Sequence, residues 1–474
     1  MSASRFRFVS LKAIFRSLIL VLCFAVTGCA GEPETVVGGD LAFVGVNVVP
    51  MTGEGEPVIA DQLLIVTDGR ITFIGDSDDV VPAENVEIVN AEGQYLLPGL
   101  TEMHGHLPDP RMSDEDIRNL LFLYVANGVT TVRGMQGDSS QFALRSAIER
   151  GRLLGPRLYL ASVAMSGESV TTAEQAAQLA REYKVDGYDL IKTHEGISKE
   201  VFEAIVATAG EVGIPFGGHV PDDIGLRRAL ASGQASIDHL DNYVEALVST
   251  GHGPENNQRG RDLDALLDEA DASSITDLVD LTVKAGTWVV PTMVLWETAF
   301  FGERSSVDVL PERPEVRYMP PETVDGWRQA VDRRLEAADV ASNRRISSIR
   351  RRILKALFDG GANIALGTDS PQIFSVPGFA MYHEMLLYVE IGMTPYEVLE
   401  IATRRPAEYF DAADEFGVIA VGRRADFLLL NANPLEDIGN MRARAGVSLN
   451  GRWMPNELIQ RRLRDIALFY GNEP

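Results

Sequence analysis

Hydrophobic and polar residues follow two different patterns along the chain. Between residues 40 and 97, short apolar runs such as LAFVGVNVV and QLLIVTDGRITFIG surround turn residues, and Asp68-Gly69 is typical of a β-hairpin turn. The same strand-like pattern recurs at 416–435 and in GVSLNGRWMP. Both ends of the chain therefore predict strands, and we expect a small composite β-sandwich domain built from residues 39–97 and 412–460.

The middle of the chain alternates strands with helices. Helical periodicity in TTAEQAAQLAREYKV and SKEVFEAIVATAGEVG separates short buried strands. Eight strand–helix units over roughly 300 residues predict an α/β fold, a (β/α)8 TIM barrel across residues 98–411. A doubly wound sheet is the alternative, but no glycine-rich dinucleotide loop follows an early strand. The candidate barrel strands are 96–103, 129–134, 157–163, 188–193, 213–219, 234–240, 287–294 and 363–369.

One connection in the barrel is much longer than the others. Residues 296–344 follow the seventh candidate strand and include the proline-rich stretch LPERPEVRYMPPETV. A loop of this length in a compact domain is usually functional or disordered. Because it would lie at the catalytic end of the barrel, it is a candidate substrate lid or wall.

The first 29 residues have the layout of a secretory signal. Four basic residues and no acid precede the apolar run SLILVLCFAV at 17–26, which is shorter than the roughly 20 residues of a membrane-spanning helix. The following VTGC resembles a bacterial lipobox, which implies cleavage before Cys29 and lipidation of its thiol. We therefore expect residues 1–29 to be a lipoprotein signal peptide and 30–38 a tether, with the protein exported and lipid-anchored on the periplasmic side of a bacterial membrane. A plain signal peptide with a chance cysteine is the alternative.

Charge and cysteine content narrow the possible partners and chemistry. The 474 residues include 43 Lys and Arg against 68 Asp and Glu, which gives a formal charge of −25 and disfavours nucleic acid as a partner. Of the two cysteines, Cys23 lies in the segment predicted to be removed. The mature chain would then have no internal disulfide, cysteine-based zinc site or cysteine nucleophile.

Metal-ligand residue types recur where the candidate barrel strands end. Barrel enzymes assemble their active sites at the C-terminal ends of strands. In HGH the two histidines share a face of the strand, because alternate residues point the same way. Neutral imidazoles and a carboxylate suit Zn²⁺ or a similar divalent ion, although any one of these residues alone is commonly structural. The candidate residues are His104, His106, Lys192, His219, His239 and Asp369.

Together these residues resemble the amidohydrolase superfamily, closest to its imidazolonepropionase and Xaa-Pro dipeptidase-like branch. The stretches LLPGLTEMHGHL, GVTTVRGM, GFAMYHEMLLYVEIGMTPYEVLEIATRRPAEYF and GVIAVGRRADFLLLNANPLEDI carry the resemblance over nearly the whole mature chain. It implies one metal ion at His104, His106 and Asp369 and a second at His219 and His239. Both ions are expected to be Zn²⁺ and to be bridged by Lys192 carboxylated by CO₂. The alternative is an unmodified Lys192 and a single metal.

The resemblance also implies a mechanism in which a metal-activated hydroxide attacks a carbonyl. Asp369 would be the catalytic base that takes the proton and passes it to the leaving amine.

The roles of the other candidate residues are less clearly indicated by the sequence. His194 and Tyr243 could each contact substrate or be structural, and Arg133, followed by Gly134 where relatives often have Asp, is more typical of a buried structural arginine. His252 is expected in solvent and His383 in a structural helix.

The leading functional hypothesis is a metal-dependent hydrolase of carbon–nitrogen bonds. Its substrates would be small molecules such as dipeptides or N-acyl amino acids. The same site could instead hydrolyse a cyclic amide, a lactone or a phosphotriester, and a non-catalytic binding lipoprotein is a further alternative. The expected partners are a small-molecule substrate, no nucleic acid, and a membrane only through a lipid on Cys29. An oligomer remains open.

Overall fold

The computed structural model describes residues 35–77, 80–248, 272–302, 307–336 and 339–473. The predicted signal peptide with Cys29, residues 30–34 of the tether, and His252 lie outside the described residues, so those predictions stand on the sequence alone. Within the described ranges, no helix combines the length and the apolar character needed to cross a membrane.

Most strands of the two chain ends form one mixed sheet, and two short strands form a separate two-stranded sheet. β7, Tyr95–Pro98, pairs with β16, Phe427–Leu430, in antiparallel register, which joins the N-terminal and C-terminal segments directly. Residues 35–37, within the predicted tether at 30–38, form β1 and pair with β5, Val80–Pro82. The strands of this region are β1 Thr35–Val37, β2 Leu41–Val48, β3 Ile59–Thr67, β4 Arg70–Asp76, β5 Val80–Pro82, β6 Glu87–Asn90, β7 Tyr95–Pro98, β16 Phe427–Leu430, β17 Arg444–Leu449 and β18 Arg452–Pro455. The hydrogen-bonded order is β18-β17-β16-β7-β2-β3-β4, with β6 beside β2.

Aromatic packing holds this composite sheet together. The ring of Phe43 on β2 meets Phe427 on β16 and Trp453 on β18 edge-on, each at a centroid distance of 5.1 Å. Phe43 and Phe427 are fully buried. Burying a phenylalanine side chain contributes roughly 1.5–3 kcal/mol. The two chain ends therefore depend on each other for a core.

Eight parallel strands lie between the two ends. They are β8 Leu100–Gly105, β9 Val129–Gly134, β10 Arg157–Leu160, β11 Ile191–Thr193, β12 Phe216–Gly218, β13 Ser236–Asp238, β14 Trp288–Val290 and β15 Asn363–Ile364. They form two ladders, β10-β9-β8 and β11-β12-β13-β14-β15. Isolated parallel bridges join Ala161 to Leu190 and Gly105 to Ser370. Seven of the eight candidate barrel strands thus contain an observed strand, β9 with the predicted bounds, whereas β8 overlaps the first candidate, 96–103, and extends two residues beyond it.

The last parallel strand is shorter than predicted, because its residues leave the regular ladder. Only Asn363–Ile364 pairs as a strand, yet the main chain beyond it stays hydrogen-bonded on both sides. The amide of Ala365 donates to the carbonyl of Val289. The amide of Met103 donates to the carbonyl of Leu366, and the amide of Asp369 donates to the carbonyl of His104. These bonds hold residues 365–369 beside β8.

Helices connect the strands. Thr172 and Ser198 cap the starts of α3, Ala173–Asp186, and α4, Lys199–Val212, by accepting from backbone amides, and left-handed Gly187 and Gly213 end these helices. The helices are α1 Asp114–Ala126, α2 Gln141–Glu149, α3 Ala173–Asp186, α4 Lys199–Val212, α5 Leu226–Ala231, α6 Tyr243–Val248, α7 Ala272–Ala285, α8 Met293–Leu295, α9 Pro321–Glu336, α10 Val340–Asp359, α11 Phe379–Ile391, α12 Pro395–Ala402, α13 Arg404–Tyr409 and α14 Asn456–Phe469. Helix α14 extends beyond residue 460, the predicted end of the composite domain.

The long insertion at 296–344 is largely helical where it is described, rather than a loop. A π-helical turn at Trp296–Phe300 follows α8, and 3₁₀ turns at Leu310–Glu312 and Pro314–Tyr318 lead into α9. Buried Leu310, Val316 and Trp327 pack in one cluster with residues of α1 and α14. The insertion is therefore anchored against the body of the protein.

Candidate active site

The candidate residues meet in one cavity at the C-terminal ends of the parallel strands. The cavity has a volume of about 790 Å³. Its lining includes all six predicted metal ligands, namely His104, His106, Lys192, His219, His239 and Asp369. Strand position therefore brought these side chains together as expected for a barrel.

Three of these residues form a compact group that could hold a divalent ion. The Nε2 atoms of His104 and His106 lie 3.5 and 2.9 Å from Asp369 Oδ1. One ligand atom of each residue lies within 4.8 Å of the others. Asp369 has a left-handed backbone with φ of 60°, an uncommon conformation for a non-glycine residue that is often found at functional sites. This turn directs the carboxylate toward the two histidines.

The remaining histidines extend this group across the cavity. The ring of His239 lies 4.5 Å from that of His104 and 4.5 Å from that of His219, measured between centroids. Hydrogen bonds orient both rings, because His239 Nδ1 lies 2.7 Å from Thr292 Oγ1 and His219 Nδ1 lies 2.7 Å from Asp241 Oδ2. A carboxylate or hydroxyl that holds one ring nitrogen leaves the other free for a metal.

The electrostatics of the site favour neutral imidazoles. Burial, with the nearby Lys192, lowers the pKa of His104 to about 4. Burial also holds the pKa of His239 well below its ordinary value. Burial alone would raise the pKa of Asp369, but the adjacent His104 and His106 outweigh it and keep this pKa below its ordinary value. Neutral imidazoles beside an ionised carboxylate are the protonation states that bind metal.

Lys192 is the most unusual member of the set. It is 2% exposed, and its Nζ has no hydrogen-bond partner among the described residues and lies 3.9 Å from Asp238 Oδ2. Burial lowers its pKa. The next strand, β12, comes very close, because a Cβ on Gly218 would lie 2.6 Å from Lys192 Cδ. A glycine next to His219 is therefore required for the lysine to reach the cavity.

Glu102 and Gly105 hold the HGH segment in place, and sequence reasoning did not single out Glu102. The Glu102 carboxylate accepts from the amides of His104 at 2.9 Å and Thr368 at 2.8 Å, so it ties β8 to the segment that carries Asp369. Burial raises the pKa of Glu102 to about 7. Gly105 faces outward, where a Cβ would lie 2.9 Å from Tyr124 Oη. The glycine is thus needed for packing against α1.

Asp238 is a second residue missed from the sequence. Its Oδ2 lies 2.8 Å from His104 Nδ1, and its Oδ1 accepts from Arg133 Nη2 at 3.0 Å. Arg133 is buried and also donates to Met103 O and Ser236 Oγ. The structure therefore assigns Arg133 the structural role favoured from the sequence and supplies the partner that Gly134 cannot provide. The only signal for Asp238 was its place directly before His239.

Replacing Arg133 with methionine is expected to lower the free energy of unfolding by about 3–5 kcal/mol, because it leaves the buried Asp238 carboxylate without its strongest partner. Urea unfolding measures this loss. Arg181→Met is the matched control, since the Arg181–Glu211 pair is solvent-exposed and worth about 1 kcal/mol or less. Equal stability of the two variants would show that Asp238 does not depend on Arg133.

The weaker candidates differ in whether they line the cavity. His194 lines the cavity, its ring lies 4.4 Å from that of His219, and burial lowers its pKa to about 4. Tyr243 does not line the cavity: it is fully buried and its hydroxyl lies 2.9 Å from Thr282 Oγ1. The expectation that Tyr243 contacts substrate is therefore corrected to a packing role, because the chain turns into α6 and points this ring into the core. His383 lies away from the cavity, with Nε2 2.6 Å from Glu315.

The chain belongs to the amidohydrolase family, whose model matches residues 95–454. The resemblance inferred from the sequence is confirmed. The fold and the site thus define a hydrolase of amide or other carbon–nitrogen bonds, in a metal-dependent family, with a candidate metal site at His104, His106 and Asp369.

Individual relatives are distant but extensive. The chain is 24% identical over 402 residues to the imidazolonepropionase of Micrococcus luteus, covering 79% of this chain and 88% of that protein. It is 22% identical over 417 residues to the ochratoxinase of Aspergillus niger, covering 81% and 80%. Among solved structures, bottromycin amidohydrolase has a TM-score of 0.68 at 22% identity, covering 91% of both chains. A putative prolidase from Bifidobacterium longum has a TM-score of 0.64 at 23% identity, covering 91% of this chain and 99% of that one. The structural likenesses establish the shared fold.

Proposed function

We propose that the protein is a metal-dependent hydrolase that cleaves amide bonds in small substrates such as dipeptides or N-acyl amino acids. One observation carries the proposal: six side chains with metal-ligand chemistry converge on a single cavity, and one of them, Lys192, has a buried amino group that finds no hydrogen-bond partner in the described part of the chain. Structural lysines rarely occupy such a position, because an unpaired buried amine costs stability.

The donor set fits two divalent ions, for which Zn²⁺ is the expected identity. His104, His106 and Asp369 would hold one ion, and His219 and His239 the other. Lys192 would join them as a carbamate formed with CO₂. This is supported by its burial, which favours the neutral amine that reacts with CO₂, and a carbamate would supply two oxygens in place of an ammonium that repels cations. When bound, the ions would lower the pKa of a water molecule and polarise the scissile carbonyl.

The protein's own groups would manage the proton. The pKa of Asp369 is held below its ordinary value, so its ionised carboxylate can accept the proton of the attacking water and deliver it to the leaving amine. Asp241 and Thr292 would hold the rings of His219 and His239 in the orientation that this geometry needs. His194, which faces His219 across the cavity wall, would contact the substrate.

The proposal includes the closed (β/α)8 barrel and the small β-sandwich predicted from the sequence. The bridges from Ala161 to Leu190 and from Gly105 to Ser370 support closure, because they connect the free edges of the two ladders. A second layer is supported by Val37 and Val80, on β1 and β5, which pack against a buried cluster of Ala42, Leu63, Ile65 and Val86.

The proposal is tested by metal analysis together with a substrate screen. The purified protein is expected to contain about two divalent ions per chain, to hydrolyse dipeptides or N-acyl amino acids, and to lose this activity on chelation and regain it with Zn²⁺. Elemental analysis measures the metal content, and amine-release assays measure the hydrolysis before chelation, after chelation and after Zn²⁺ is added. Turnover of lactones or phosphotriesters without any amide hydrolysis would replace the proposed substrate class. A protein without metal, in which added Zn²⁺ restores no hydrolysis, would favour a binding protein.

A further inference from the structure

Glu384 is a buried carboxylate that the proposed mechanism does not use. It lies on helix α11, and its side chain is fully shielded from solvent. Both of its oxygens are hydrogen-bonded, because Oε1 accepts from the amide of Met293 and Oε2 from the amide of Val294, each at 2.7 Å. The carboxylate therefore ties α11 to the start of helix α8, which follows strand β14.

The two amides bound by Glu384 are the first two of helix α8. The opening amides of a helix have no acceptor within the helix, and a threonine directly before it commonly supplies one from its side chain. Thr292 occupies this N-cap position, but its side chain makes no capping hydrogen bond. Glu384 thus performs the capping in place of Thr292, which leaves the Thr292 hydroxyl available to a different partner.

The partner of the Thr292 hydroxyl is a predicted metal ligand. Thr292 Oγ1 lies 2.7 Å from His239 Nδ1, and both side chains are buried. Thr292 has a left-handed backbone with φ of 47°, which is a strained conformation for a β-branched residue. Such strain persists only where surrounding contacts enforce it. The bonds from Glu384 to the two amides that directly follow Thr292 provide that constraint.

We infer that Glu384 is a positioning residue for His239 and acts through Thr292. By fixing the turn after β14, Glu384 directs the Thr292 hydroxyl to Nδ1 of His239, where the hydroxyl accepts the ring N–H. A neutral imidazole carries one N–H and one lone pair, so the lone pair is then on Nε2 and available to a metal ion. The inference rests on the proposed metal centre and adds a residue from a different helix that controls one of its ligands.

Glu384→Gln tests the first link as a change in the zinc affinity of the metal-free protein. Glutamine keeps the shape of the side chain but has one acceptor oxygen, so its NH₂ group would face a backbone amide as a second donor. Affinity for the ion assigned to His219 and His239 should fall by about 10- to 100-fold, as is usual when a group that orients a metal ligand is lost. Affinity for the other ion should stay unchanged. Competition with a chromophoric chelator measures both.

Substitutions of Thr292 test the second link. Thr292→Val removes the hydroxyl at nearly constant shape and should weaken the same ion by a similar factor, whereas Thr292→Ser should retain the wild-type affinity. If Glu384 acts through Thr292, the double variant Glu384→Gln/Thr292→Val should bind this ion no more weakly than the weaker single variant. Additive losses of affinity would show that Glu384 acts by another route and would overturn the inference.

Glu315→Gln is the matched control, because it separates positioning from a general loss of stability. Glu315 is also a buried carboxylate, but it pairs with His383 and does not line the cavity. Glu315→Gln should lower the Tm and leave both zinc affinities at their wild-type values. An equal loss of zinc affinity in Glu315→Gln and Glu384→Gln would reduce Glu384 to a structural residue. If Glu384→Gln does not fold, Glu384→Asp, which shortens the reach to both amides, takes its place in each comparison.

The side-chain ¹⁵N signals of His239 test the inference without metal, and His239→Asn identifies them. In the metal-free wild type the ring proton should reside on Nδ1, and in Glu384→Gln it should be distributed over both nitrogens. A wild-type proton on Nε2, or a tautomer unchanged in Glu384→Gln, would overturn the inference and leave the proposed function standing. The expected tautomers in a protein that binds no second ion would support the role of Glu384 and contradict the two-ion centre.

Discussion

Asp369→Asn is expected to abolish amide hydrolysis while the protein still folds. The substitution keeps the size of the side chain but removes the negative charge that two histidines hold in place and the group proposed to carry the proton. A positioned acid–base group typically contributes about 10²- to 10⁴-fold to the rate, so kcat should fall by at least that factor. Steady-state kinetics on the best amide substrate measures the loss, and circular dichroism with a thermal melt verifies the fold.

Asp223→Asn is the matched control for this variant. Asp223 is an exposed aspartate on the segment that follows His219 and does not line the cavity. It should retain wild-type kinetics. Activity in Asp369→Asn within tenfold of the wild type would remove Asp369 as the catalytic base, and the proton would then have to be carried by another group in the cavity.

Lys192→Ala is expected to lower the metal content from two ions per chain to one and to reduce kcat/KM by at least about 100-fold, as for loss of a group that holds a metal in place. The reason is that a carbamate formed on the buried Lys192 amine would supply the bridging oxygens. Elemental analysis gives the stoichiometry, and ¹³C NMR after incubation with ¹³C-bicarbonate should show a carbamate signal in the wild type that is absent in the variant.

The exposed Lys184 provides the comparison, because its Nζ donates only to the carbonyl of Gly213 at the surface. Lys184→Ala should retain two ions, the carbamate signal and full activity. One ion per chain in the wild type, with activity unaffected by Lys192→Ala, would establish the mononuclear alternative. Two ions retained in Lys192→Ala would show that the bridge is not formed by this residue.

Strand periodicity located much of the site before any tertiary information. Residues that end buried parallel strands meet at one edge whatever the details of their packing, so His104, His106, Lys192, His219, His239 and Asp369 could be assigned to one cavity from their positions alone. Tyr243 could not be assigned in this way. It lies four residues beyond His239, where the direction of the side chain depends on a left-handed turn and on the start of a helix.

The partners of the site residues were visible only in three dimensions. Asp238 joins Arg133 to His104 across more than 100 residues of sequence, and Glu102 joins His104 to Thr368 across more than 260. Such contacts follow no periodicity, because they depend on how neighbouring strands are aligned. The structure of the insertion at 296–344 also depends on contacts between distant segments. Its prolines predicted a loop, whereas packing against α1 and α14 makes it a mostly helical wall.

The amino-acid sequence by itself determined the alternation of strands and helices, the family and the identity of the proposed metal ligands, because each depends on local pattern and on residue type. The tertiary structure alone decided which protonation states, hydrogen bonds and cavity walls surround those ligands. These properties arise from burial and from contacts between distant segments. Arg350, for example, contacts the carbonyl of His239 and the ring of Trp296 only because helix α10 and the insertion meet beside His239.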